Sequence, residues 1–299
     1  MNLFSRLSLL WKVLLSTSVA LTALFAVTGL IVQSHVVNTT SRSLEEEVQT
    51  SFQAYDSLWR ARADKLASVS LLLSTMSDVR AAFATGHQAT IVDTAGELWS
   101  KISEENALFV VTDAQGKVLA SLGGVPLPSL ALGMPVVATA AAGFPRQSSG
   151  FVYRDGSLYQ VVVTPVYVQS GQGQALLNVL VAGYMIDTLV AQQFKKSTGG
   201  SEFLFLSGGS VVASTLNQRA TAELVRRVSA GGSGGRISDG VSDYAPLVSP
   251  LAAVDGSRAG DLYILRSFEG VHQRVAELRR DLILMWIAVL AAGLALTYA

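Results

Sequence analysis

The sequence predicts an α+β fold in which a long N-terminal helix precedes two tandem modules with antiparallel sheets, all of it anchored between two membrane-spanning helices. Uncharged apolar stretches stand at both ends of the 299-residue chain. Hydrophobic residues with a helical period follow the first stretch, and strand-like runs with hairpin turns fill much of the remainder. Segments of the second half repeat segments of the first half in the same order, which indicates duplication.

Residues 13–34 form the first predicted membrane helix. No charged residue occurs from Val13 to Ser41, and the apolar run within it matches the ~20 residues needed to cross a bilayer. Arg6 and Lys12 precede the run, so the positive-inside rule places residues 1–12 in the cytoplasm. A cleaved signal peptide is the alternative, but the run exceeds the roughly 7–15 apolar residues typical of one, and no Ala-x-Ala site follows.

The second predicted membrane helix covers residues 282–299, which carry no charge and end before a full span is complete. Residues 271–281 contain Glu277, Arg279, Arg280 and Asp281 and are predicted to form an exit helix that leads into it. If the first span runs outward, residues 42–281 lie outside the cytoplasm.

Composition excludes several classes of function. Lys plus Arg and Asp plus Glu both number 22, so there is no net basic charge of the kind that nucleic-acid binding requires. The chain has no cysteine, and His35, His87 and His272 are far apart, so neither a thiol site nor a metal site is indicated. No Gly-x-Ser-x-Gly elbow occurs. We therefore expect no enzymatic activity, no metal and no cofactor in these residues.

Residues 35–86 are predicted to form a long helix that continues the first membrane helix. Its hydrophobic stripe consists of Leu44, Val48, Phe52, Tyr55, Trp59, Leu66, Val69, Leu73 and Met76. Forty helical residues would extend on the order of 60 Å. The stripe fits packing on the chain's own modules or a seam between two chains; we favour the first for the distal half and the second near the membrane.

Residues 87–190 are predicted to form the first module. Its expected strands are Ala107–Asp113, Lys117–Ser121, Phe151–Arg154, Tyr159–Tyr167 and Ala175–Ile186, followed by a helix over Asp187–Lys196. The turns Asp113-Ala114-Gln115-Gly116 and Asp155-Gly156 indicate two hairpins.

Residues 191–270 are predicted to form a second, shorter copy of this module. Gly116–Ser121 is echoed by Gly209–Ser214. Tyr159 stands six residues before Pro165, and Tyr244 stands six before Pro250. A short helix over Thr221–Val228 and a last strand over Asp261–Ser267 complete the copy.

Over Arg42–Asp281 the chain resembles the double-Cache family of bacterial extracytoplasmic sensor domains. The resemblance depends on the order helix–sheet–sheet, the hairpin Val110–Ser121, and the run Gly183–Asp187 that closes the first module. It is nearest to the double sensory domains of two-component sensor kinases and related cyclases. It implies two PAS-like modules, location in the bacterial inner membrane with residues 42–281 in the periplasm, and a small ligand bound by the membrane-distal first module.

The resemblance also implies candidate ligand-binding residues. Family members that bind amino acids or amines use a Tyr-x-Asp element, matched here by Tyr153-Arg154-Asp155, and an Asp after the fifth strand, matched by Asp187. The family's Arg-x-Trp element is missing, which leaves the ligand class open. The candidates are Tyr153, Arg154, Asp155, Tyr159, Tyr184 and Asp187. Four of them also have a structural interpretation: Asp155 as a turn residue, Asp187 as a helix cap, and Tyr159 and Tyr184 as strand packing.

The resemblance therefore predicts a sensory input region that signals by helix displacement to a cytoplasmic output domain beyond Ala299. The expected partners are a small molecule, the membrane and a second copy of the chain, with no nucleic acid. The alternative is an envelope scaffold or transport-associated protein whose outer domain binds another protein. Continuity of both terminal helices into the membrane favours the sensor, because a scaffold would not need it.

Overall fold

The computed structural model describes residues 9–102, 107–122, 134–154, 156–230 and 236–298. Its helices are α1 (Leu9–Thr75), α2 (Ser77–Thr85), α3 (Gln88–Ile102), α4 (Met134–Gly143), α5 (Thr188–Ser197), α6 (Gln218–Ser229) and α7 (Glu269–Tyr298). The strands form two antiparallel sheets, which confirms the predicted α+β class.

The first sheet contains β1 (Ala107–Asp113), β2 (Val118–Ser121), β3 (Ser148–Arg154), β4 (Ser157–Ser170) and β5 (Gly173–Ile186). Their order across the sheet is β2-β1-β5-β4-β3. Both predicted hairpins of this module are present, since β1 pairs with β2 and β3 pairs with β4. Strand β5 is central and lies between β1 and the equally long β4.

The second sheet contains β6 (Glu202–Ser207), β7 (Ser210–Ser214), β8 (Ile237–Ser238), β9 (Asp243–Ala252) and β10 (Arg258–Ser267). Its order, β7-β6-β10-β9-β8, repeats that of the first sheet strand for strand. The two sequence echoes lie on equivalent elements, because the glycine-led repeat forms β2 and β7 and the tyrosine repeat lies on β4 and β9. The two sheets therefore have the same topology, as the predicted duplication requires.

Helix α1 runs along both sheets and ends earlier than the sequence predicted. The chain bends by 77° between α1 and α2, where Met76 adopts an extended conformation. The bend allows α2 to bury Val79 and Phe83 in the cluster that Leu73 of α1 also joins. The apolar face of α2 therefore explains why the helix does not continue straight to Gly86.

The hydrophobic stripe of α1 is used for packing within the chain. Leu66 and Leu73 are buried against the first sheet, while Leu44, Val48 and Tyr55 are buried against the second. Leu44 and Val48 lie in the half of the long helix near the predicted membrane, where we expected a seam between two chains. Because they pack on the chain's own second sheet, any seam in this region must use other residues.

Among the residues whose side chains the structure describes, no single helix is both long enough and apolar enough to cross a membrane. A shorter apolar helical stretch covers Ser18–Ile31, and the bent pair Arg42–Thr75 with Ser77–Thr85 meets the criteria of length and composition only when taken together. The two predicted membrane helices remain predictions.

Candidate functional site

A cavity of about 410 Å³ lies on the face of the first sheet that points away from α1. Its floor is apolar and includes Val110 of β1, Val161 of β4 and Val181 of β5. Strand alternation produces this floor, because every second residue of a strand points to the same face. Helix α4 covers one side with Val136 and Val137, which are themselves buried.

The second module forms one wall of the cavity. The β9–β10 turn at residues 253–259, here called the roof turn, contributes Ala253, Val254 and Ala259 to the lining. Ala253 forms an isolated parallel bridge with Phe151 of β3. This places main chain from the second module directly beside the edge strand of the first sheet.

Two glycines permit this close contact between modules. A Cβ at Gly150 would lie 2.7 Å from the Val254 amide nitrogen, and a Cβ at Gly208 would lie 2.5 Å from the Tyr153 ring. Gly208 also has a φ of 57°, which side chains other than glycine rarely adopt. Any larger residue at Gly150 would therefore force β3 and the roof turn apart.

Polar groups from both modules also line the cavity. Tyr153 and Arg154 come from the end of β3, and Asp255 and Arg258 come from the roof turn and the start of β10. Arg258 Nε donates to Asp261 Oδ1 at 2.9 Å, so its charge is compensated within its own module. Hydrogen bonds from the hydroxyl and amide of Ser257 hold the pKa of the Asp255 carboxyl below its usual value and fix the turn.

The structure brings three of the six candidate residues together at this cavity. Tyr153, Arg154 and Tyr159 line it. Asp155 lies outside the described residues.

Tyr184 and Asp187 have other surroundings. Tyr184 is the cross-strand partner of Gln160, next to Tyr159 in sequence, and therefore points to the opposite face of the sheet. There it is buried in the cluster against α1, with the Arg62 guanidinium 5.7 Å from its ring centre. Asp187 caps α5 and accepts a hydrogen bond from the Val190 amide at 2.8 Å.

Sequence reasoning missed α4 and the roof turn. Helix α4 is rich in alanine and valine and carries no motif, so nothing in its sequence marks it as a cavity wall. The roof turn lies about a hundred residues after β3 in the chain, and only the docking of the two modules brings it there. A signal for such a contact is absent from local sequence patterns.

The sheet beneath the cavity is attached to α1 through polar and aromatic contacts. Gln160 Nε2 donates to the Trp59 carbonyl oxygen at 3.2 Å. The Trp59 ring stacks on Phe151 with a centroid separation of 4.6 Å and an interplanar angle of 9°. Phe151 in turn lines the cavity, so one strand edge connects the cavity to the long helix.

In the second module, side chains occupy the space that corresponds to the cavity of the first module. Val110 and Val181 are cross-strand partners in the first sheet, and Leu204 and Tyr263 are partners at the equivalent place between β6 and β10. Leu204 and Tyr263 are buried in a cluster with Leu224 of α6. Larger side chains thus occupy in the second copy the space that stays open in the first.

The lining suits binding better than catalysis. Its floor, α4 side and much of its roof are apolar, and its charged groups are few. In the part of the chain that the structure describes, no three His, Asp or Glu side chains gather in a way that would hold a metal ion. A concave, mainly apolar cavity with a small number of polar groups is typical of a small-molecule site.

Two solved structures illustrate what this chain is similar to. The periplasmic domain of Vibrio cholerae LuxQ matches with a TM-score of 0.53 at 11% identity, over 74% of this chain and 99% of that one. The ligand-binding domain of the Campylobacter jejuni chemoreceptor Tlp3, solved with L-valine, matches with a TM-score of 0.47 at 9% identity, over 80% of this chain and 97% of that one. At these identities the likeness to LuxQ shows the fold alone. Comparison with curated proteins finds no significant match.

A family model covers most of the folded region. The double-Cache model described as the double sensory domain of two-component sensor kinase matches residues 41–269. This range contains both sheets and the part of α1 that packs on them. The chain therefore belongs to the double-Cache family of sensory domains.

Proposed function

We propose that this chain is the extracytoplasmic sensory input region of a bacterial transmembrane receptor, and that it binds a small molecule in the cavity of the first module. The observation that carries the proposal is the cavity itself, with its apolar floor and its mixed polar end formed by Tyr153, Arg154 and Asp255. Family membership supports the sensory role, because double-Cache domains are sensory domains.

The position of the cavity also supports a mechanical output. Phe151 connects the cavity lining to Trp59 of α1, and the roof turn leads into β10. Strand β10 ends at Ser267, and α7 begins two residues later. A ligand that favours one arrangement of the two modules would therefore shift α1 and α7 relative to each other, to the extent that it binds that arrangement more tightly.

Filling the cavity tests the proposal. The purified chain in lipid nanodiscs is screened for small metabolites that raise its melting temperature, since a ligand of the native state stabilises it by mass action. Val181→Tyr introduces the side chain that the second module carries at the equivalent place. We expect this variant to fold and to lose the ligand-dependent rise.

Val92→Tyr is the matched control, because Val92 lies on α3 with an exposed side chain and does not line the cavity. It should keep the full rise. A ligand whose effect survives Val181→Tyr unchanged would contradict binding in this cavity.

A further inference from the structure

The cavity is built by two modules that are far apart in the chain. The parallel bridge between Phe151 and Ala253 sets β3 and the roof turn side by side in the same direction. One residue further along each segment, Val152 and Val254 both pack into the apolar cluster that contains Val161. The second module thus contributes to the hydrophobic lining as well as to the rim.

The polar end of the cavity is also shared. Two residues beyond the bridge stand Tyr153 on β3 and Asp255 on the roof turn, and both line the cavity. Because the two segments run parallel, these residues lie at the same end of the seam between the modules. Arg154 from the first module and Asp255 from the second bring opposite charges to this end.

This arrangement indicates a class of ligand. The valine floor and Val254 favour a branched or aromatic apolar body, since burial of apolar surface is the main source of affinity there. Arg154 and Asp255 bring one charge of each sign, and the charge of the third lining group, Arg258, is compensated by Asp261. A neutral end group that both donates and accepts hydrogen bonds therefore matches this end better than an ion does.

We infer that the first-module cavity binds a mostly apolar, uncharged small molecule, and that the roof turn of the second module supplies direct contacts to it. The ligand then joins the two modules, and its occupancy controls how firmly the second module docks on the first. This inference rests on the proposed function for the identity of the site and adds the second module as part of that site.

A tethered probe tests the shared cavity without a known ligand. Ser257→Cys in this cysteine-free chain is labelled in nanodiscs with benzyl methanethiosulfonate, which attaches an uncharged apolar group to the roof turn. Methyl NMR of valine-labelled protein then reports ring-current shifts. We expect shifts at Val110, Val161 and Val181 on the floor of the first module.

The matched control is Val241→Cys with the same label. Val241 follows Asp239-Gly240 as Ser257 follows Asp255-Gly256, and in each turn the aspartate accepts the amide hydrogen of that residue. Val241 is 83% exposed and does not line the cavity. Its adduct should leave the three floor valines unshifted.

Charged adducts test the ligand class. Labels of similar reach that end in a sulfonate or an ammonium group, placed at Ser257→Cys, should raise the melting temperature less than the benzyl adduct does. Equal or greater stabilisation by either charged adduct would overturn the uncharged class.

A reciprocal variant keeps the test decisive if Ser257→Cys folds poorly. Val152→Cys with the benzyl label should shift the Val254 methyl groups of the roof turn. The shared cavity would be overturned if the label at Ser257→Cys left the floor valines unshifted, or if the label at Val152→Cys left Val254 unshifted. This would hold even if a free metabolite raised the melting temperature of the chain and Val181→Tyr abolished that rise. If the tethered shifts appear but no free molecule binds, the proposed sensory function fails while the shared cavity stands.

Discussion

At the scale of single residues, neighbours in sequence have different roles because strand and helix geometry separates them. Tyr159 lines the cavity, whereas Gln160 beside it donates to the Trp59 carbonyl oxygen on the other face of the sheet. Tyr184 lies on that second face as well. The sequence supplied the residue types of a site, but only the register between β4 and β5 shows which of them share a face.

Asp187 is expected to act on stability, because its carboxylate caps the first turn of α5. Asp187→Ala should lower the free energy of unfolding by about 0.5–2 kcal/mol, the usual cost of losing such a cap. Asp187→Asn should retain most of it, since asparagine caps helices well. Thermal unfolding of the purified variants measures this; an unchanged melting temperature together with a lost ligand response would favour ligand contact.

Because the pKa of the Tyr244 phenol is raised, we expect the free energy of unfolding to fall at alkaline pH. Burial and the Asp239 carboxylate raise the pKa of its phenol to about 12, whereas an unfolded tyrosine has a pKa of about 10. Its contribution to stability is therefore complete below about pH 10 and is lost as the pH rises through about 12. Tyr244→Phe should melt with a weaker pH dependence in this range, and Tyr167→Phe, at an exposed position, should not.

At the scale of elements, helix α1 holds the two modules together through one aromatic cluster. Trp59 stacks on Phe151 of the first module, and Tyr55, one turn earlier, contacts Phe203 of the second. Phe194 of α5 meets both α1 rings. The helix is therefore a common wall for both cores.

Trp59→Ala should destabilise the chain by about 2–4 kcal/mol, because it removes a large packed ring and leaves a cavity. The loss should also weaken the contact between α1 and the strand that lines the cavity. Leu58→Ala, on the adjacent exposed surface of α1, should change stability by less than about 0.5 kcal/mol. Equal melting temperatures for the two variants would contradict this role of Trp59.

The elements were predictable from sequence to a greater extent than the site. Hairpin turns and strand periods predicted β1 to β5 closely, and the sequence echoes predicted that the second module resembles the first. The break at Met76 was missed because the hydrophobic stripe continues across it, and only packing of α2 reveals the bend. The roof turn was missed because contacts between modules leave no period or motif in the chain.

At the scale of the whole molecule, α1 and α7 lie side by side, although they are separated in sequence by both modules. Helix α7 follows directly from β10, with Phe268 buried between them. Any movement of the second sheet is therefore passed to α7 with little intervening chain.

We expect two copies of the chain to form a homodimer in which the two α1 helices lie near each other just after the first predicted membrane helix. Thr39→Cys, at an exposed position on α1, should form a disulfide with its twin in native membranes under mild oxidation. Val48→Cys should not, because Val48 is 3% exposed and packs in the chain's own core. A ligand should change the crosslinking rate at Thr39→Cys; failure to crosslink at every exposed position from 36 to 47 would argue against the dimer.

The filled interior of the second module has a mechanical consequence. A module with an unfilled cavity deforms most easily at the cavity, whereas a module that is packed throughout moves as a rigid body. In the second module, this interior is filled by Leu204, Tyr263 and Leu224. We therefore expect the first module to be the more deformable of the two. Under the proposed function, the first copy is therefore expected to deform around a ligand, and the second copy is expected to move as a rigid body and to carry that movement to α7.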